Sequence, residues 1–559
     1  MMRLYKIYIA IVLYAATNAL AGDLHLVLRS QKKAQDIHGQ PFWKMVEEAK
    51  TISAEQTMLI VTDIWEEKGC RAHVERINEM VPVINQVTAV LRNDGSHIVW
   101  APSDVTDIYK NDQAREKMIN APFCPLPAET SVVEPPLPVG DGTISCDSEG
   151  DFGNVERQHP GLVVDQAKDG ISSDGQEIWN FINANGIKLV MICGVHTDEC
   201  ILNRPFGIKR MVRWRVPVIL LRDLTDASYN PFTPPYVSHE EGTAMVVDYI
   251  EKFWCPTVSI KGITGMEPVS FCPWKNTETE DRQQEIARSR GRLYLPPQPK
   301  YHISLRSQCK SVDAKILNIW KQQQVLDNIM ADRSAILVAG MNKWRRDGQQ
   351  TSDSLAARIN SFSAAARKAG YLIVHAPVKA LDQNLNNADQ QRLKSPEVDS
   401  SSCCAMNGYY FTYLRNWQPA AYERKMSEER YEPPLPIPPT TKVAIETALY
   451  QKVIQVDSEN DCICYSLAEL SRFIQSKKLK NIFVVGQYAN DDLFSGPCGI
   501  KSIISLGANV AVVRDLLDIS NDPFQPPYVN HMRALDIMIG YFEKFWCPTV
   551  ASEDLLTAN

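Results

Sequence analysis

The feature that most constrains this chain is that it repeats itself. Arg222-Asp223-Leu224, Asn230-Pro231-Phe232, Pro234-Pro235-Tyr236-Val237 and Glu251-Lys252-Phe253-Trp254-Cys255-Pro256-Thr257-Val258 return as Arg514-Asp515-Leu516, Asp522-Pro523-Phe524, Pro526-Pro527-Tyr528-Val529 and Glu543-Lys544-Phe545-Trp546-Cys547-Pro548-Thr549-Val550. These matches lie 292 residues apart, and the same offset carries Gly194 to Gly486 and Phe181 to Phe473. Nearer the start the offset is smaller: Leu28-Arg29-Ser30-Gln31 answers Leu305-Arg306-Ser307-Gln308, and Trp65 answers Trp344. A repeat of this size is a whole domain, so the fold of one half is expected in the other.

The limits read as a leader at 1–21, a first domain at 22–260, a linker at 261–298 containing the polar stretch Asn276 to Arg292, a second domain at 299–552 and a tail at 553–559. In the leader, Arg3 and Lys6 precede the apolar run Ile7 to Ala16, and Ala19-Leu20-Ala21 offers a small-x-small cleavage site. That run is well short of the roughly 20 residues that span a bilayer, so a cleaved signal peptide and a secreted or lumenal protein are expected. Some of the 14 cysteines can then pair.

Hydrophobic residues make up 44% of the chain and charged ones 22%, which excludes disorder as the main state. The net charge of −7 comes without a long Lys/Arg run, leaving no footprint for nucleic acid or an anionic membrane. The expected partner is a small molecule. The two halves are expected to pack on each other, and a homo-oligomer is compatible with the same surfaces.

Within the first half the periodicities alternate. Met58 to Thr62 is a short apolar run, and Val74, Ile77, Met80, Ile84, Val87 and Leu91 recur at helical spacing with a kink expected at Pro82. A strand is predicted at Ile98 to Trp100. A helix starts at Asp174, with Glu177 completing a capping box, and a buried strand runs from Lys188 to Cys193. A helix from Cys200 to Val212, a strand from Val218 to Leu221 and a helix from Gly242 to Phe253 complete the unit. The expected fold class is α/β: two tandem three-layer α/β/α domains, each with a mostly parallel sheet. Ligands of such sheets bind at the carboxyl ends of the strands.

Asp63 lies just after the first of these strands. Cys200 follows the Lys188 to Cys193 strand within Gly194-Val195-His196-Thr197-Asp198-Glu199-Cys200, where a helix is to begin. A cysteine there should gain thiolate stability from the helix terminus, and the nearby backbone N–H groups make an oxyanion site. A carboxylate can take the thiol proton, and Lys168, ahead of the Asp174 helix, can supply positive charge. His196 is a candidate substrate contact, since Tyr488 replaces it in the second half, and Trp65 and Trp100 flank the expected crevice. His239 persists as His531 and reads as structural.

Asp63 after an apolar strand, Lys168 before a helix, and Gly194, Thr197 and Cys200 in a Gly-x-x-Thr-x-x-Cys element resemble the isochorismatase-like cysteine hydrolases, which include nicotinamidases and N-carbamoylsarcosine amidohydrolases. The resemblance implies Asp63 as base, Cys200 as nucleophile, Lys168 as polarising cation and a cis peptide between Val195 and His196. It implies hydrolysis of a small amide-like (C–N) substrate, or of a vinyl ether with the Asp as acid. A non-catalytic secreted binding or structural protein is the reading from another class. Nicotinamidases carry an Asp-x-His metal cluster after the second strand, whereas Val99 to Asp104 supplies only Asp104, so no metal and no cofactor are expected.

Matching Trp65 to Trp344 turns Asp63 into Asn342, Lys168 into Asn460 and Cys200 into Asp492, so the second half is expected to keep the fold without this chemistry. Cys255 and Cys547 could each staple a C-terminal helix, Cys403-Cys404 and Cys462-x-Cys464 favour disulfides over a metal, and Cys193 is the expected buried free thiol.

Overall fold

Each half builds one eight-stranded sheet, and the two sheets have the same strand order. The computed structural model describes residues 22–37, 39–66, 69–140, 145–148, 155–265, 300–312, 318–341, 349–377, 433–439 and 454–556. The leader, the stretch Asn276 to Arg292, Asn342, Trp344, Cys403 and Cys404 lie outside these residues.

In the first half β1 (Asp23–Gln35), β2 (Pro41–Ser53), β3 (Thr57–Thr62), β4 (His97–Ala101), β5 (Gly170–Ile171), β6 (Leu189–Val195), β7 (Val218–Asp226) and β8 (Thr257–Val258) lie in the order β2-β1-β8-β7-β6-β3-β4-β5. The second half repeats it as β10-β9-β16-β15-β14-β11-β12-β13. Its strands are β9 (Lys300–Val312), β10 (Asn318–Met330), β11 (Ser334–Ala339), β12 (Leu372–Ala376), β13 (Cys462–Ile463), β14 (Asn481–Gly486), β15 (Asn509–Leu517) and β16 (Thr549–Val550). From β8 to β5 neighbours run parallel, and β1 is antiparallel to both β8 and β2. The expected α/β class with a mostly parallel sheet is the one observed, with the long β1–β2 hairpin as an addition.

The period of two along β3 explains the layers. Met58 and Ile60 enter one core, while Leu59 and Val61 enter the other. Helix Arg71–Asp94 covers the second of these through Ile77, Met80, Ile84, Val87 and Leu91, each such buried side chain contributing about 1.5–3 kcal/mol. Helices Gly175–Ala184 and His239–Phe253 cover the first face. Helix Gly175–Ala184 starts as expected, with Glu177 N–H donating to Asp174 at 2.9 Å. Its Glu177 carboxylate does not close a box, because Arg115 and Ser172 take it.

The continuous helix expected from Cys200 to Val212 is two short ones, Cys200–Asn203 and Ile208–Arg213. Arg204-Pro205-Phe206-Gly207 breaks it: proline removes a donor, and a side chain on Gly207 would meet the Ile201 carbonyl at 2.9 Å.

One core runs through both halves, and the contacts between them come in matched pairs. Trp43 Nε1 donates to the Pro523 carbonyl at 2.7 Å, and its counterpart Trp320 donates to Pro231 at 2.8 Å. Lys252 Nζ donates to Tyr528 O at 3.1 Å, and Lys544 Nζ to Tyr236 O at 2.8 Å. The ring of Tyr528 packs edge-on against Phe253 at 4.9 Å, and that of Tyr236 against Phe545 at 4.8 Å. This reciprocity is that of an isologous dimer held in one chain.

Candidate active site

The carboxyl ends of β3 and β6 bring Asp63 and Cys200 together. Asp63 has left-handed backbone geometry (φ 54°), with its N–H on the Ala101 carbonyl at 3.2 Å and its Oδ1 accepting the Ser103 N–H at 2.8 Å. The residue is buried, and Oδ2 has no hydrogen bond of ordinary geometry. The Cys200 thiol donates toward this carboxylate, and Arg204 Nε lies 3.5 Å from Oδ2. Close strand approach requires Gly194 (φ 113°), where a Cβ would stand 2.0 Å from the Thr62 carbonyl oxygen.

The loop from β6 to Cys200 is held from β7. Thr197 N–H donates to the Asp226 carbonyl at 2.8 Å, Thr197 and Thr225 share a hydroxyl bond at 2.7 Å, and Ser228 N–H donates to Asp198 at 2.8 Å. The peptide between Val195 and His196 is cis, as the resemblance implies.

Electrostatics here differ from the expectation of a stabilised thiolate. Burial, followed by the charge of Asp63, pushes the Cys200 thiol up to about 12, and Arg204 only partly offsets them. Burial likewise raises Asp63 above the usual carboxylate range, against hydrogen bonds from Cys200 and Ser103 and the charge of Arg204. Helix Cys200–Asn203 is a single turn, too short to bring a macrodipole to bear. The resting thiol is therefore protonated, beside the Asp63 carboxyl group.

Lys168 stands exposed in a turn with its N–H on Asp165, and the cation that reaches the pair is Arg204. Arg204 hydrogen-bonds the Cys200 sulfur and pairs with Asp104 at 3.0 Å. Trp100 is fully buried with its Nε1–H on Asp169 at 2.8 Å, which makes it a core residue. Trp65 is largely buried and bridges Gln158 through its backbone. The His196 ring is buried against His73, with 3.1 Å between Nε2 and Nδ1.

Behind the loop lies a buried ionic cluster. Arg76 donates to Asp226 at 2.7 Å and to Asp147 at 2.8 Å, and His239 bonds Asp226 at 2.7 Å and Asp147 at 3.1 Å. Burial opposes every charge here, yet the pairs prevail: Asp147 and Asp226 lie well below the carboxylate range, and the two carboxylates raise His239 to about 10. A disulfide between Cys70 and Cys146 anchors Asp147 next to it. Its partners were not legible in the sequence. Cys255, Cys547 and Cys464 are buried free thiols, contrary to the disulfides expected for them, Cys462 lies buried in hydrogen-bond contact with Cys464, and Cys193 is free and buried.

Strand register corrects the comparison of the halves. Thr62 pairs with Gly194 as Ala339 pairs with Gly486, so Gly340 (φ 64°), not Asn342, stands where Asp63 does. Asp492 opens the turn equivalent to that of Cys200, and Gly496 ends it where Arg204 does. Among the described residues no cluster of three His, Cys, Asp or Glu side chains is disposed to hold a metal ion, and no helix is long and apolar enough to cross a membrane.

No protein-family model matches the chain, and no curated protein matches it either. Among solved structures, it is similar to an isochorismatase family protein from Burkholderia thailandensis at 10% identity, covering 38% of this chain and 95% of that one with a TM-score of 0.23. It is also similar to an isochorismatase from Pseudomonas putida KT2440 at 12% identity, covering 32% and 73% with a TM-score of 0.18.

Proposed function

We propose that the N-terminal half is an isochorismatase-like cysteine hydrolase of a small amide-like (C–N) substrate, that the C-terminal half is non-catalytic, and that the protein is secreted or lumenal. The observation that carries the reading is the buried Asp63 carboxyl group, toward which the Cys200 thiol donates. With the thiol raised to about 12, attack on the carbonyl has to be accompanied by proton transfer to Asp63. The Cys200 backbone N–H, which has no protein acceptor among the described residues, is available to the developing oxyanion. Arg204 takes the part that the resemblance assigns to Lys168: its charge opposes the burial that raises Asp63, and it steadies the sulfur as it gains charge. The adduct collapses with cleavage of the C–N bond as Asp63 passes the thiol proton to the departing nitrogen, and water then releases the acyl group from sulfur as a carboxylic acid.

In the second half Gly340, Asp492 and Gly496 stand at the positions matched to Asp63, Cys200 and Arg204, which supports a non-catalytic role. The Cys70–Cys146 disulfide supports an oxidising compartment. A panel of small primary amides tests the reading by ammonia release, which should vanish in Cys200→Ser and in Asp63→Asn. The raised Asp63 also favours a second chemistry, proton donation to a vinyl ether. Cleavage that survives Cys200→Ser and fails in Asp63→Asn would select that route.

A further inference from the structure

A cavity lies among the contacts between the halves. A cleft of about 340 Å3 opens where Tyr236 of the first half meets Gln308, Trp320, Ile537, Gly540 and Lys544 of the second. That volume lies within the range of small-molecule sites, about 300–1,000 Å3.

The matched position on the other side of the interface accounts for the opening. On helix His239–Phe253, Asp248 holds the place that Gly540 takes on helix His531–Phe545. The Asp248 carboxylate sits between two donors: Oδ1 accepts from Gln31 Nε2 at 2.8 Å, and Oδ2 lies 3.5 Å from Lys252 Nζ. Both donors persist in the second half. Gln308 Nε2 donates to Glu543 at 2.8 Å as Gln31 does to Glu251 at 3.0 Å, and Lys544 bonds the Tyr236 carbonyl as Lys252 bonds that of Tyr528. What differs is the helix position itself, where Gly540 carries no side chain. A Cβ on Gly540 would stand 3.1 Å from Lys544 Nζ and 3.7 Å from Gln308 Nε2, so the space it leaves opens onto both donors. Glycine inside a helix costs about 1 kcal/mol against alanine, and Gly540 has no positive φ to require it. Ile319 in place of Phe42 widens the same cleft.

We propose that this cleft binds a small monocarboxylate with an apolar body. The ligand carboxylate takes the place that Asp248 fills in the first half, beside Gln308 Nε2 and Lys544 Nζ, and its body lies against Trp320, Ile319 and Ile537. Glu240, Glu241 and Asp536 also line the cleft, against Arg533 and Lys544, so a second negative charge on the ligand is repelled.

Titration calorimetry of the full chain with benzoate, and with benzyl alcohol as its uncharged analogue, tests this. Benzoate is expected to bind saturably, one per chain, with benzyl alcohol at least about tenfold weaker. Gly540→Asp, which rebuilds the arrangement made by Asp248, should fold with an unchanged or higher melting midpoint and lose benzoate binding. Lys544→Met should lose it as well, and Cys200→Ser should keep it, which separates this site from the proposed hydrolase centre. Absence of benzoate binding, equal binding of the two compounds, or benzoate binding that survives Gly540→Asp or Lys544→Met would overturn the proposal.

Discussion

Glu241 and Arg533 occupy the same position in the two halves, and they pair with each other across the interface. A pair of equivalent residues that touch marks the axis of an isologous contact. With identical halves this contact would join two like charges; here it joins opposite ones. Glu241→Arg or Arg533→Glu alone should therefore destabilise the interface, and the swapped double variant should recover most of the loss. The expected coupling is about 1–3 kcal/mol, read by a double-mutant cycle in urea unfolding. Additive losses would mean that the pair does not set the partner choice.

Burial raises the Asp63 carboxyl above its unfolded value, and Cys200, Ser103 and Arg204 only partly offset it. Its raised value means that the folded chain keeps a proton the unfolded chain has lost, so this residue lowers stability as pH rises from about 3.9 through the folded value. Asp63→Asn should thus raise the melting midpoint at neutral pH and leave it unchanged in strong acid. Asn tolerates the left-handed backbone at this place, so strain will not mask the effect.

Arg76 bridges two buried carboxylates, with His239 as the second cation. Arg76→Met should cost about 3–5 kcal/mol, measured by chemical denaturation, because Asp147 and Asp226 would keep only His239 of the two cations they share. The pH profile of the intact cluster has two sides. The depressed aspartates contribute stability that is present above about 3.9 and lost as pH falls through their folded values; the raised histidine contributes stability that is full below about 6.5 and lost as pH rises through about 10.

The Cys70–Cys146 disulfide closes a loop with a sequence separation of 76 residues. Its reduction should lower stability by about 4 kcal/mol. Hydrogen exchange should then rise first around Asp147, the buried ligand of Arg76 that the bond anchors.

The layers of the fold were legible because β3 and β6 read as short continuous apolar runs, buried on both faces, and the helix Arg71–Asp94 carries a plain period of 3.6. Asp63 and Cys200 were legible because both sit at strand ends, where topology alone brings residues distant in sequence into one crevice. Arg204 was not, because Arg204-Pro205 lies inside what reads as one helix, and only the break at Pro205 and Gly207 turns the guanidinium to the pair. Matching Trp65 to Trp344 shifted the alignment by two residues and hid Gly340, whereas β-ladder register has no such freedom. Cysteine connectivity depends on tertiary distances, which spacing does not contain.

The central claim is that Cys200 attacks a carbonyl with Asp63 taking its proton. Brief exposure of the folded protein to p-nitrophenyl acetate, followed by acid quench and fragment mass spectrometry, reads it most directly, with buried Cys193 as the control within the same strand and loop. An acetyl group on Cys200 and not on Cys193 is predicted, at least about 100-fold slower to form in Asp63→Asn. No acetyl group on Cys200, or one that forms as fast without Asp63, would contradict the account.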